Sequence, residues 1–144
     1  MGLKVEKIAS QTYILLEDIS VESLDYRITV KKDFDFDAAS IPQIFWSLIG
    51  SPFTGNYTVP ALTHDALYAS ERLERKLCDN IFLDLMKQYE VGYFKRYAIY
   101  NAVRIFGNRN WNKMSKSETI KYKEFCYVKK ITNNNNDFNN IFGV

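Results

Sequence analysis

The chain has 144 residues, 47% of them apolar and 25% charged, and a formal net charge of +2. That length suits one domain, which hides roughly 68–70% of the surface its unfolded chain would expose. The apolar content excludes disorder of the whole chain. No apolar run approaches the ~18 residues that a membrane helix needs. No apolar stretch follows a basic start either, so a Sec-type signal peptide is not expected. Cys78 and Cys126 lie far apart without a CxxC or Cys/His pair, which argues for free thiols rather than a zinc site or a disulfide scaffold.

The first 36 residues read as strands. Thr12–Leu16 and Tyr26–Val30 are rich in β-branched and aromatic side chains, with a polar stretch from Glu17 to Asp25 between them. Phe34 and Phe36 alternate with Asp33, Asp35 and Asp37, the period of a half-buried strand. From residue 40 the pattern turns helical. Ser40-Ile41-Pro42-Gln43 combines a capping serine, a first-turn proline and a capping-box glutamine ahead of an apolar run that ends at Gly50. Asp37 is placed to accept backbone N–H groups at that helix start. A second short helix opens at Pro60. A third spans about Glu74 to Tyr89, with Leu77, Cys78, Ile81, Phe82, Leu85 and Tyr89 in one stripe. A fourth spans about Tyr93 to Phe106. Trp46, Tyr57, Tyr68 and the fourth-helix aromatics Tyr93, Phe94, Tyr97, Tyr100 and Phe106 are expected in the core and packing surface.

Ser115 to Glu118 forms another capping box and predicts a basic helix running toward Tyr127. Residues 107–132 hold seven basic and two acidic side chains, and Asn133 to Asn140 is a low-complexity stretch. The expected architecture is α+β: a small N-terminal antiparallel sheet, three to four short helices and a basic C-terminal arm. The expected division is one α+β domain over 1–111 and a basic, Asn-rich extension over 112–144.

The single histidine, His64, precedes Asp65 and lies four residues before Tyr68. On a helix His64 and Tyr68 share a face, while Asp65 points about 100° away. Imidazole is the usual neutral-pH general base, and the adjacent carboxylate suits a hard cation such as calcium. Asp79 sits on the apolar flank of the third helix, where an ionised carboxylate needs a partner. His64 and Tyr68 can supply one if the two helices are antiparallel. The catalytic set is then His64, Asp79 and Tyr68, with Asp65 as a metal carboxylate. The alternative is a structural hydrogen-bond network joining Asp65 and Asp79 to Ser40, Thr63, Arg75 or Arg104.

Four ordered motifs carry a resemblance. They are Phe36-Asp37-Ala38-Ala39-Ser40-Ile41-Pro42 with Phe45-Trp46, then Leu62 to Tyr68, then Arg75 to Phe82, then Ala102 to Gly107 with Trp111. Together they resemble a small family of tailed-phage and prophage proteins known as a domain of unknown function. The resemblance implies a phage or prophage origin. Cys78 stands where that family usually has alanine. His64, Asp65, Tyr68 and Asp79 are also similar to the HDxxY arrangement of small secreted phospholipases. That similarity implies His64 as base, Asp65 at calcium, and Asp79 with Tyr68 orienting the histidine. The glycine-rich calcium loop and the disulfides of that group are missing here.

These readings lead to a virion-associated structural or accessory protein of the capsid, neck or tail. It is expected to bind other phage virion proteins through residues 112–144 and to be located in the virion. The alternative is a His–Asp dependent hydrolase of an envelope ester or amide, with calcium as its possible cofactor. Nucleic-acid binding through residues 107–132 is the weakest reading.

Overall fold

A computed structural model of the chain describes residues 3–8, 12–37, 55–112 and 115–131. The capping motif at Ser40, the helix expected over 40–50 and the asparagine-rich stretch lie outside the described residues. The architecture is α+β, with strands first and helices after. Among the described residues six strands form two three-stranded antiparallel sheets. The first sheet has the order β1 (Val5–Lys7), β2 (Thr12–Leu15), β5 (Asp35–Asp37). The second has the order β3 (Ile19–Ser23), β4 (Tyr26–Val30), β6 (Cys126–Lys130).

Strand β3 lies inside the stretch expected to be a polar connection. Its alternation explains the difference: Val21 and Ser23 turn inward, while Ser20 and Glu22 face water. A half-buried strand needs only every second residue apolar. Ser23 pairs with Tyr26 across a two-residue turn. Leu24 and Asp25 both take positive φ there, 46° and 66°, as the turn favoured by twisted hairpins requires. Leucine is an unusual occupant of such a turn, so no Asn-Gly signal marked it. In the first sheet Tyr13 pairs with Phe36, their ring centroids 5.9 Å apart.

The helices are α1 (Thr58–Ser70), α2 (Arg75–Gln88), α3 (Tyr93–Phe106), α4 (Asn108–Trp111) and α5 (Lys116–Tyr122). Most of α1 is buried, because sheets, α2 and α5 all pack on it. One apolar cluster joins Leu15, Ile28, Val30 and Phe34 of the strand region to Leu62, Leu67, Ile81 and Leu85 of α1 and α2. A second joins Tyr57, Phe82, Met86, Val91, Ile99 and Val103.

The chain beyond residue 111 contributes to this body. The Ser115 capping box is present, but α5 stops at Tyr122, short of Tyr127. The chain then turns into β6, which pairs with β4 from Cys126↔Val30 to Lys130↔Tyr26. Arg72 donates to the carbonyls of Lys123 and Cys126, and the Tyr122 hydroxyl donates to Asp35. Residues 115–131, expected as part of an extension, thus supply an edge strand and a helix. A short strand paired on one side needs little apolar content of its own, so composition alone marked it as an arm. Its outer edge is rich in lysine, a common guard against edge-to-edge pairing.

The aromatics expected in the core and packing surface divide. Tyr57 and Tyr68 are buried as expected. Phe94 is 87% exposed and Tyr93 60%, contrary to their expected place in the core. Helix α3 buries only the stripe of Ile99, Ala102 and Val103, and Phe94 falls on another side.

Candidate active site

The site lies where α1, α2 and α3 meet. His64 and Tyr68 come from successive turns of α1, one above the other, with ring centroids 4.2 Å apart. Helix α2 runs beside them and brings in Asp79, whose side chain has no solvent exposure. Helix α3 contributes Arg104 near its last turn.

Asp79 accepts three hydrogen bonds from side chains. His64 Nε2 lies 2.8 Å from Oδ1, and the Tyr68 hydroxyl donates to the same oxygen at 2.5 Å. Arg104 Nη1 donates to Oδ2 at 2.6 Å. Burial pushes the Asp79 carboxyl upward, but the bonds from His64, Tyr68 and Arg104 outweigh it and hold the group below the usual carboxylate range. The carboxylate is therefore ionised at neutral pH. An ionised acceptor requires the proton on His64 Nε2, which leaves Nδ1 as the basic nitrogen. No described residue bonds Nδ1.

Aromatic rings fix this arrangement. Phe82 stacks on His64 at 4.4 Å, and Trp111 meets Tyr68 edge-on at 5.1 Å. The Tyr68 hydroxyl is raised well above its ordinary value, by burial first and then by Asp79, so it stays a donor. Arg75 Nε donates to that hydroxyl at 3.3 Å. The same guanidinium donates to the carbonyls of Val103 and Arg104 at 3.0 and 2.7 Å. The Arg104 carbonyl is among those a helix end leaves unpaired, while that of Val103 also accepts the Gly107 N–H. Gly107 follows that end for a steric reason. A Cβ there would meet the Val103 carbonyl oxygen and come within 2.9 Å of the Tyr68 hydroxyl.

The structure thus brings together His64, Tyr68 and Asp79. It also draws in Arg104 and Arg75, which the sequence offered only as alternative partners for a structural network. Thr63 is not part of it; its hydroxyl donates to the Val59 carbonyl. Phe82 and Trp111 entered the sequence reading only as spacing and motif residues, because which ring covers a histidine depends on how helices cross. Gly107 entered as the end of the fourth motif, and its approach to Tyr68 has no local signal.

Asp65 is half-buried, and its charge acts on Tyr57. The Tyr57 hydroxyl is buried and has no hydrogen-bond partner among the described residues. Among the described residues no three His, Cys, Asp or Glu side chains gather as metal ligands. The described donors do not by themselves make the calcium site expected at Asp65. Cys78 and Cys126 are free and buried. Burial, then the nearby Asp79 charge, pushes the Cys78 thiol up to about 12, so it is not a nucleophile here.

A family described as "Protein of unknown function (DUF1353)" matches residues 13–103. The chain belongs to this family. The match includes every residue of the His64–Tyr68–Asp79 set and stops just before Arg104. An uncharacterized protein, y4jT of Sinorhizobium fredii (strain NBRC 101917 / NGR234), is 41% identical over 73 residues. That similarity covers 49% of this chain and 21% of the relative, so the chain matches about a fifth of that protein's length. No solved structure gives a significant match. Among the described residues no helix is long and apolar enough to cross a membrane.

Proposed function

We propose that this chain is a hydrolase of an ester or amide bond in which His64 is the general base. One observation carries the reading: His64 Nε2 lies 2.8 Å from the carboxylate of buried Asp79 while no described residue bonds Nδ1, on a residue that is itself 7% exposed. Nδ1 takes a proton from a water molecule, and the resulting hydroxide adds to the substrate carbonyl carbon. Asp79 stabilises the imidazolium formed at that moment and keeps the ring oriented. His64 then returns the proton to the leaving oxygen or nitrogen as its bond to carbon breaks, giving an acid and an alcohol or amine. Tyr68 and Arg104 hold the Asp79 carboxylate in place and deprotonated; they are positioning residues. The pairing of His64 and Tyr68 on one oxygen of Asp79 also fits the likeness to HDxxY phospholipases.

The test compares wild type with His64→Gln and His64→Ala on phospholipid and peptidoglycan substrates, with and without calcium. General-base removal should lower the rate by about 10²–10⁴, with far-UV circular dichroism unchanged. Equal turnover by all three proteins, or none by wild type, overturns the reading.

A second reading is favoured by a different region. Ile120 and Tyr127, within residues 112–131, are 62% and 50% exposed beside Lys116, Lys121, Lys123, Lys129 and Lys130. In this reading the chain is an accessory protein of a phage particle and docks there on neighbouring virion proteins, a location compatible with carrying an enzyme. Mass spectrometry of purified particles from a producing strain should then detect it, and its absence from them excludes this role.

A further inference from the structure

Helix α3 carries the largest departure from expected burial. At its start Tyr93 and Phe94 stand in solvent, Phe94 with 87% of its surface accessible. Their rings meet edge-on at 5.4 Å, and Tyr93 also packs on Tyr97 at 4.9 Å. Cations are threaded through this group. The Arg96 guanidinium lies 5.3 Å from the Tyr93 centroid and 5.7 Å from that of Tyr97, and Lys87 lies 6.0 Å from Tyr97. Lys95 follows Phe94 directly. Helix α3 contains no acidic residue, and between Lys87 and Arg104 the one carboxylate is Glu90. Further along, Ile105 is 69% exposed. At 3.6 residues per turn it falls within about 20° of Phe94 around the helix.

Exposing these side chains to water is unfavourable, so the patch calls for an occupant. A second copy of this chain fits poorly. A two-fold contact would set the patch against itself and face Lys87, Lys95 and Arg96 with the same cations. Aromatic rings with an apolar body, interleaved with cations on flexible stems, suit the boundary between lipid headgroups and acyl chains. There the rings enter the apolar layer and the cations meet phosphate.

We propose that the N-terminal half of α3 docks on the surface of an anionic phospholipid bilayer. Phe94 and Tyr93 insert at the headgroup level, and Lys87 and Lys95 pair with anionic headgroups, while Arg96, whose Nη1 donates to the Val91 carbonyl, holds the tyrosine rings in place. The docking stands without the hydrolase reading. Where both hold, which rests on that reading, the substrate is an ester of the bilayer lipid itself.

The experiment is co-sedimentation of the full chain with vesicles of phosphatidylcholine alone and of phosphatidylcholine with phosphatidylglycerol. Wild type should bind the anionic vesicles more tightly and lose binding as salt rises. Phe94→Ser should weaken binding about tenfold or more, and Lys87→Glu with Lys95→Glu should abolish the preference for phosphatidylglycerol. Ile120→Ser, an exposed residue elsewhere, should bind as wild type does, and so should His64→Gln. The His64 variant separates docking from catalysis, since it fails in turnover alone. Absence of binding to anionic vesicles, or equal binding by Phe94→Ser, overturns the proposal. So does a concentration-dependent dimer in sedimentation velocity that Phe94→Ser dissolves.

Discussion

In the strand region the charged side chains stay at the surface. Arg27 and Glu22 face each other across the β3–β4 hairpin with more than half of each side chain in water, and Lys4 reaches Glu17 in the same manner. In the helical region the chain carries a carboxylate, Asp79, to a point with no exposure and surrounds it with donors from two other helices. The strand region is held by alternation and burial of one face, and its ion pairs are incidental to stability. The helical region depends on its charge, because removing Asp79 leaves His64 and Tyr68 buried without the acceptor they share. Such an investment at the meeting point of three helices fixes the position of His64 closely, as the general base proposed above would require.

The sharpest way to break this contrast is Asp79→Ala. It strands His64, Tyr68 and Arg104 and should cost about 3–5 kcal/mol in urea unfolding. A loss below about 1 kcal/mol would make the network as dispensable as a surface pair. The same carboxylate sets a pH dependence. Its folded pKa lies below the ordinary value, so the folded protein binds fewer protons than the unfolded chain near that value. Its contribution is complete above about pH 4 and disappears as pH falls through the folded pKa. Unfolding midpoints should therefore drop on acidification below about pH 4. Asp79→Asn should start lower and show a flatter acid limb; an unchanged limb would place the acid sensitivity elsewhere.

Gly107→Ala tests the packing at the edge of the network. The added methyl meets the Val103 carbonyl oxygen and the Tyr68 hydroxyl, and overpacking of this kind costs about 1–3 kcal/mol. A thermal midpoint equal to wild type would show that the end of α3 moves aside freely. The smallest effect belongs to the strand region. Arg27→Ala should change stability by at most about 1 kcal/mol, and by less as salt is added. A larger loss would erase the distinction between the two regions.

Much of the fold was legible because it depends on local periodicity. Helix α1 spans Thr58–Ser70, near the expected opening at Pro60, and α2 and α3 end at Gln88 and Phe106, close to their expected limits. The pairing of His64 with Tyr68 follows from a spacing of four on a helix. Strand β3 was hidden by its polar outer face, and β6 by its basic composition. Strand β6 is completed by its partner β4, which lies far away in the sequence, outside any local window. The exposure of Phe94 was equally invisible, since an aromatic residue at helical spacing reads the same whether or not another element covers it.

The sequence by itself determined the α+β order of elements, the lone histidine on a helix with Tyr68, and a carboxylate on an apolar flank that had to find partners. Those follow from side-chain period and the cost of burying charge, both properties of a single segment. Tertiary structure alone decided that Asp79 meets His64, Tyr68 and Arg104 at once. It also decided that residues 126–130 close the second sheet and that Phe94 faces outward. Each of those depends on how separate segments pack, and packing is settled by the whole set of faces to be buried rather than by any one of them.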